Sequence, residues 1–139
     1  MNGFDVITVH RLSPEHVRMN AQFFASILDS AYLRNHMGAK AIEAVEWAAD
    51  GEGFMFEAYD NGFESHLFGT YEVAGDALFI TAISGQNFER AADTLETWLR
   101  GEAERLGCKR LVLCGRHAWK KVLKHRGFTT DQAIYTMEV

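Results

Sequence analysis

Cysteine, proline and long apolar runs are all scarce in this chain of 139 residues, and each scarcity excludes something. The two cysteines, Cys108 and Cys114, stand six apart with no histidine at a complementary offset, which is neither a zinc spacing nor a disulfide framework. They read as buried small apolar residues, with a disulfide between them or a catalytic thiol as the alternative. The six histidines (His10, His16, His36, His66, His117 and His125) are scattered without ligand spacing, so no metal is expected. One proline, Pro14, and no repeat or low-complexity tract leave no linker, and the length suits a single domain, 1–139. No apolar run approaches the roughly 20 residues that span a bilayer. The start, Met1-Asn2-Gly3-Phe4-Asp5, lacks the basic and apolar regions of a signal peptide. These absences point to a cytoplasmic protein with no membrane partner.

Negative charge is also missing from one stretch. Between Arg105 and Thr130 there is no Asp or Glu, while Arg105, Lys109, Arg110, Arg116, Lys120, Lys121, Lys124 and Arg126 are basic. The formal net charge of −5 argues against wholesale nucleic-acid binding, and no RNA-binding or helix-turn-helix signature accompanies the stripe. Such segregation suits an acidic protein surface, nucleic acid, the phosphate end of a cofactor, or a solvated face. Arg116, Lys120, Lys121 and Lys124 are the candidate partner-binding residues.

A strand is expected from Phe4 to His10, where a β-rich run alternates. Ser13-Pro14 places an N-cap before a proline at the first helical position, and Val17, Ala21, Phe24, Leu28 and Ala31 follow at helical spacing. A second helix is expected from about Gly38 to Ala49. Phe54 to Tyr59, Ser65 to Val73 and Ala77 to Ile83 read as an antiparallel meander joined by Asp60-Asn61-Gly62 and Ala74-Gly75-Asp76. Ser84-Gly85 breaks it. The strongest helix puts Phe88, Ala91, Ala92, Leu95, Trp98, Leu99, Ala103 and Leu106 on one face, with Gly107 past its end. Leu111 to Cys114 is an apolar strand of the kind covered on both faces. Trp119, Val122 and Leu123 make a short helix ending at Gly127, and a last strand runs from near Phe128 to Tyr135 or beyond. The order β-α-α-β-β-β-α-β-α-β predicts an α/β fold, with a mixed central sheet, helices on both faces and the long helix crossing between parallel neighbours. Phe23, Phe24, Phe54, Phe56, Phe68, Phe79 and Trp98 are expected on core faces.

That order resembles the GNAT acyltransferases, most specifically in the meander from Phe68 to Ile83, the segment from Leu95 to Leu113, and the closing stretch from Trp119 to Gly127-Phe128. The resemblance implies acetyl-CoA as cofactor and an amine acceptor in the cleft between the fourth and fifth strands. Backbone N–H groups from Ile83 to Gly85 would polarise the thioester there. GNAT enzymes hold the CoA pyrophosphate on a loop written Gln/Arg-x-x-Gly-x-Gly/Ala, where glycine lets successive N–H groups approach the phosphates. Here it reads Gln86-Asn87-Phe88-Glu89-Arg90-Ala91. Gln86 and Ala91 match, Glu89 replaces the central Gly with bulk and negative charge, and Arg90, if turned inward, would offset part of that charge. The cofactor-binding candidates are therefore Ile83, Gly85, Gln86, Arg90 and Ala91.

The tyrosine that protonates the leaving thiolate in many family members corresponds to Leu123, and the Asn that often opens that helix to Arg116. Glu57, Glu72 and Thr81 are candidates for a general base, but no catalytic residue is singled out. The strand Leu78 to Ser84, the segment Gly115 to Trp119 and the Gly127-Phe128 ending are also similar to small GNAT-like proteins of tailed phages. Two functions follow from these likenesses. In the first, a scaffold without catalysis or cofactor serves as a binding or structural component of a phage or prophage virion, its basic stripe docking on an acidic virion protein or DNA. In the second, the chain is an acetyl-CoA-dependent N-acyltransferase. An edge strand near the C-terminus would support a homodimer.

Overall fold

The computed structural model describes residues 6–35, 41–62, 64–86, 88–114, 129–131 and 134–139. Its elements are β1 (Ile7–Arg11), α1 (Pro14–Met19), α2 (Ala21–Asn35), α3 (Ala41–Ala49), β2 (Phe54–Asp60), β3 (Ser65–Ala74), β4 (Ala77–Gly85), α4 (Phe88–Arg105), β5 (Arg110–Cys114), β6 (Thr129–Asp131) and β7 (Ile134–Glu138). The seven strands lie in the order β1-β2-β3-β4-β5-β7-β6. Every neighbouring pair is antiparallel except β4–β5, which is parallel across the α4 crossover. The expected α/β architecture holds.

Three boundaries differ from the sequence expectation. The first helix divides at Asn20, which leaves helical geometry at φ −123°. Its side-chain amide donates to the His16 carbonyl at 3.0 Å, and its own carbonyl accepts from the Phe24 N–H at 3.0 Å, so Asn20 closes α1 and opens α2. The β4 strand runs on through Ser84 and Gly85 instead of breaking there. The single C-terminal strand is a pair, β6 and β7, which are antiparallel to each other. The short helix expected around Trp119, the basic residues Arg116, Lys120, Lys121 and Lys124, and Leu123 lie outside the described residues.

Two cores sandwich the sheet. On one face, Ala91, Leu95, Leu99 and Ala103 of α4 pack on Phe56, Tyr71, Leu78, Ile80, Leu111 and Leu113. On the other, Val17, Phe24, Leu28, Val45 and Ala48 from α1 to α3 pack on Met55 and Ala82. Of the aromatic residues assigned to the core, Phe24 and Phe56 are buried, whereas Phe23 is 60% exposed. Phe23 precedes Phe24 on α2 and so points a third of a turn away from the sheet.

A polar bond ties α4 to the sheet. The Tyr71 hydroxyl donates to Glu102 Oε2 at 2.6 Å, and Arg105 meets the same carboxylate through Nε (2.9 Å) and an Nη (3.0 Å). Burial and the bond to Glu102 push the Tyr71 phenol far above its usual pKa. The ring sits among Phe54, Phe56 and Trp98. Tyr71→Phe keeps that packing and removes only the charge-assisted bond, so it should cost about 1.5 kcal/mol. Urea denaturation at neutral pH checks this; a loss below a few tenths would mean that water replaces the hydroxyl without cost.

Candidate functional site

The site begins with a residue too many in β4. Tyr71 pairs with Ile80 and Thr70 pairs with Ala82, which leaves Thr81 as a bulge. The bulge reverses the facing of the strand. Leu78 and Ile80 point to the α4 core, and beyond the bulge so does Ile83, while Ala82 faces the α1–α3 core and Ser84 Oγ donates to the Ile27 carbonyl of α2 at 2.7 Å.

The same place ends the pairing with β5. The register Ala77↔Arg110 to Ile80↔Leu113 stops one residue before Thr81, although β4 continues to Gly85. A bulge bends its strand and increases its twist, and it falls where the described β4–β5 pairing ends. Among the described residues, the last five of β4 then have no β5 partner. This opening in the described pairing lies at the carboxyl ends of two parallel strands joined by a helix, where open α/β sheets place their ligands.

Two residues of this part of β4 turn their backbone groups away from β3. The Gln86 N–H donates to the His66 carbonyl at 2.8 Å, which makes that pair a hydrogen-bonding position of the β3–β4 ladder. Alternation along the ladder puts Leu67↔Gly85 and Gly69↔Ile83 at non-bonding positions. The N–H and C=O groups of Ile83 and Gly85 therefore turn away from β3, towards the opening. Two of the five cofactor-binding candidates thus share one edge.

The other three follow directly. Gln86 is exposed, with its backbone N–H engaged by β3. Ala91 is fully buried in the α4 core, so a small residue is needed there for packing whatever the turn binds. Arg90 and Glu89 are exposed on the first turn of α4. A solvated carboxylate is well screened, which lessens the electrostatic conflict that the sequence suggests for Glu89.

The three base candidates are separated. Glu72 pairs with Phe79, on the far side of the bulge from the opening. Thr81 is buried with its hydroxyl 2.6 Å from Thr70 Oγ1 and 3.1 Å from the Thr70 carbonyl, so it braces the bulge. Glu57 lies in the cross-strand row His10–Glu57–Phe68–Ser84, at the level of the opening and two strands (roughly 10 Å) from β4. Its Oε1 is 3.0 Å from His10 Nε2, and its Oε2 accepts from Ser65 Oγ at 2.5 Å. The carboxylate stands between serine and imidazole, so this is not a nucleophile–base arrangement.

A second polar pair escapes sequence reading. Asp60 and His66 are each 5% exposed, with His66 Nε2 3.0 Å from Asp60 Oδ2. Asp60 Oδ1 accepts from the N–H groups of Gly62 (2.9 Å) and Glu64 (3.0 Å). The His66 bond, with that from Glu64, holds the Asp60 carboxyl below its usual range against the opposing effect of burial. The stabilisation is therefore complete above the ordinary carboxylate range and is lost as pH falls through the lowered value. The Asp60-Asn61-Gly62 turn was the available signal, but nothing in it marks His66 as the partner.

Elsewhere the chemistry is sparse. Burial pushes the Cys108 thiol up, away from a reactive thiolate. Among the described residues, no group of three His, Cys, Asp or Glu side chains is placed to hold a metal, and no helix is long and apolar enough to cross a membrane. Two members of the basic stretch have structural partners, since Arg105 pairs with Glu102 and Arg110 with Asp76 at 2.9 Å. A wide groove of about 500 Å³ between β1 and α4, lined by Ile7, Val9, Asp93, Thr97 and Trp98, lies at the sheet edge away from the opening.

No family model matches the chain, and no curated protein matches it. Solved structures do. The PaiA N-acetyltransferase from Thermoplasma acidophilum, in complex with coenzyme A, superposes with a TM-score of 0.64 at 11% identity, over 96% of this chain and 99% of that one. The ribosomal-protein-S18-alanine N-acetyltransferase from Escherichia coli gives 0.65 at 15% identity, over 96% and 94%. Aminoglycoside 6′-acetyltransferase type Ii gives 0.66 at 13%, over 94% and 96%. The chain has a GNAT-like fold.

Proposed function

We propose that this chain is an acyl-CoA-dependent N-acyltransferase acting on an amine. The observation that carries the reading is the coincidence of the Thr81 bulge with the last β4–β5 pair among the described residues, beyond which Ile83 and Gly85 turn their backbone groups away from β3. Structures of the same fold bind coenzyme A or acetyl-CoA in the complexes solved with Thermoplasma acidophilum and Brucella melitensis proteins. The residues here fit such a group. N–H groups turned away from β3 suit an amide-rich arm and a thioester carbonyl, α4 begins three residues after Gly85, and the Glu89 side chain is exposed.

Bound acyl-CoA supplies an acyl group activated as a thioester. The chain's own contribution would be backbone N–H groups of β4: those of Ile83 and Gly85 stand about 7 Å apart along the strand, so one would face the thioester carbonyl oxygen and the other the amide-rich arm. The first turn of α4, with Arg90 beside it, offers positive potential to the phosphates. Glu57, at the level of the opening, would be the carboxylate that receives the amine's proton through water; as the C–N bond forms and the C–S bond breaks, the departing thiolate would take its proton from solvent.

Glu89 favours a second reading, a GNAT scaffold without catalysis that serves as a binding component, in a virion on the resemblance to phage proteins. One titration divides the two. Glu89→Gly removes a like charge beside the phosphates and should tighten CoA binding about three- to tenfold. Calorimetry on wild type and variant, followed by thiol release from acetyl-CoA with simple amines, is the test. If neither protein binds CoA, the acyltransferase reading fails and the scaffold reading takes its place.

A further inference from the structure

The Asp60–His66 pair lies on the face that carries α4, beside the turn that leads into it. In β2, Phe56 and Ala58 point to the α4 core, and Asp60 continues that alternation. In β3, Ala58 pairs with Leu67 and Tyr59 with Ser65, so His66 is an extra residue bulged out of the ladder. The bulge reverses β3 as Thr81 reverses β4. Ser65 turns to Glu57 on the α1–α3 face, while His66 joins Asp60 on the opposite face.

The bulged residue holds the end of β4 in two ways. Its carbonyl takes the Gln86 N–H at 2.8 Å, the first amide after β4. The same carbonyl presses against Gly85, where a Cβ would come within 2.0 Å of it. His66 thus sets both where β4 stops and how the chain leaves for α4. A bulge costs ladder bonds and persists only when something secures it. Here the His66 ring is fixed by Asp60, and Asp60 is fixed by two amides of the Asp60–Glu64 turn.

We infer that Asp60 and His66 are positioning residues for Gln86 and the first turn of α4, and through them set the affinity for the phosphate end of acyl-CoA. The inference rests on the acyltransferase reading for its ligand, but not for its geometry. Neither side chain touches the thioester. Loosening the pair should weaken CoA binding while leaving the chemical step unchanged at saturation.

The experiment compares Asp60→Asn and His66→Gln with wild type and with Tyr71→Phe, which destabilises the sheet–helix contact away from the turn. In both pair variants the KM for acetyl-CoA should rise about five- to twentyfold, with kcat within twofold and the amine KM unchanged. Tyr71→Phe should lower stability without moving the acetyl-CoA KM. Hydrogen exchange of the Gln86 amide gives a readout free of activity, and its protection should fall in the pair variants while that of Leu95 persists. An unchanged KM, a fall in kcat alone, or unchanged Gln86 protection would overturn the proposal. If wild type binds no CoA, the acyltransferase reading falls and the ligand named here with it; the exchange measurement still decides whether the pair holds the turn.

Discussion

Gly85→Ala should destabilise the protein by about 3 kcal/mol or more and weaken CoA binding at least tenfold. Gly85 has φ +137°, a conformation L residues rarely adopt, and an added Cβ would lie 2.0 Å from the His66 oxygen and 3.0 Å from Leu67 Cα. Those are backbone atoms. The carbonyl cannot retreat without releasing the Gln86 N–H, so the methyl either pushes β3 away or flattens the exit from β4. Both outcomes shift the Ile83–Gly85 edge. Gly75→Ala is the internal comparison, because φ is also positive there (+62°) but no atom lies within 4 Å of the added Cβ. That variant should lose about 1 kcal/mol and bind CoA as wild type does. Similar losses in the two would mean that strain in φ, not the approach of β3, is what Gly85 relieves.

The second large effect belongs to Gly69. It pairs with Ile83 beside the bulge, and a Cβ there would fall 2.3 Å from two carbons of the Phe56 ring and 2.8 Å from the Ala82 carbonyl. Phe56 is fully buried and leans on Tyr71 and Trp98, so the ring has no empty space to enter. Interiors packed to crystal density transmit such an insertion instead of absorbing it. Gly69→Ala should cost about 2–4 kcal/mol, towards the upper end for overpacking because a backbone carbonyl shares the clash. A smaller ring position tests the cause. Phe56→Leu alone should destabilise, yet in the double variant it should recover part of the Gly69→Ala loss, a departure from additivity expected for residues in direct contact. Strict additivity in chemical denaturation would place the cost at Ala82.

Much of this architecture is written in local patterns. In α4, Ala91, Leu95, Leu99 and Ala103 repeat at helical spacing, and all four are buried on the sheet. The meander is legible because Gly51, Gly75 and the Asp60-Asn61-Gly62 turn punctuate apolar runs. The two bulges are not legible. An inserted residue in a β-rich run such as Leu78 to Ser84 has no compositional mark, and only the facing of Ile80, Ala82 and Ile83 betrays Thr81. The same blindness explains why Ser84-Gly85 reads as a break. Gly85 has the special geometry of a breaker but still pairs with Leu67.

The candidate site was half visible for the same reason. The pattern from Gln86 to Ala91 marks the start of α4, where the structure gives Ala91 a packing role and engages the Gln86 N–H with β3. Asp60 and His66, which brace that turn, lie in a different hairpin. Their meeting depends on a one-residue register shift, and registers are set by pairing across strands rather than by neighbours in sequence.

On the acyltransferase reading, the edge of β4 beyond Thr81 would receive acyl-CoA. Backbone amide resonances followed during titration with CoA test it most directly. The largest shifts are expected at Ile83 and Gly85 and in the first turn of α4, from Phe88 to Ala91, with β1 and the groove it forms with α4 unmoved. Shifts that cluster between β1 and α4, at Val9 and Thr97 for example, or no saturable shift at millimolar CoA, would contradict it.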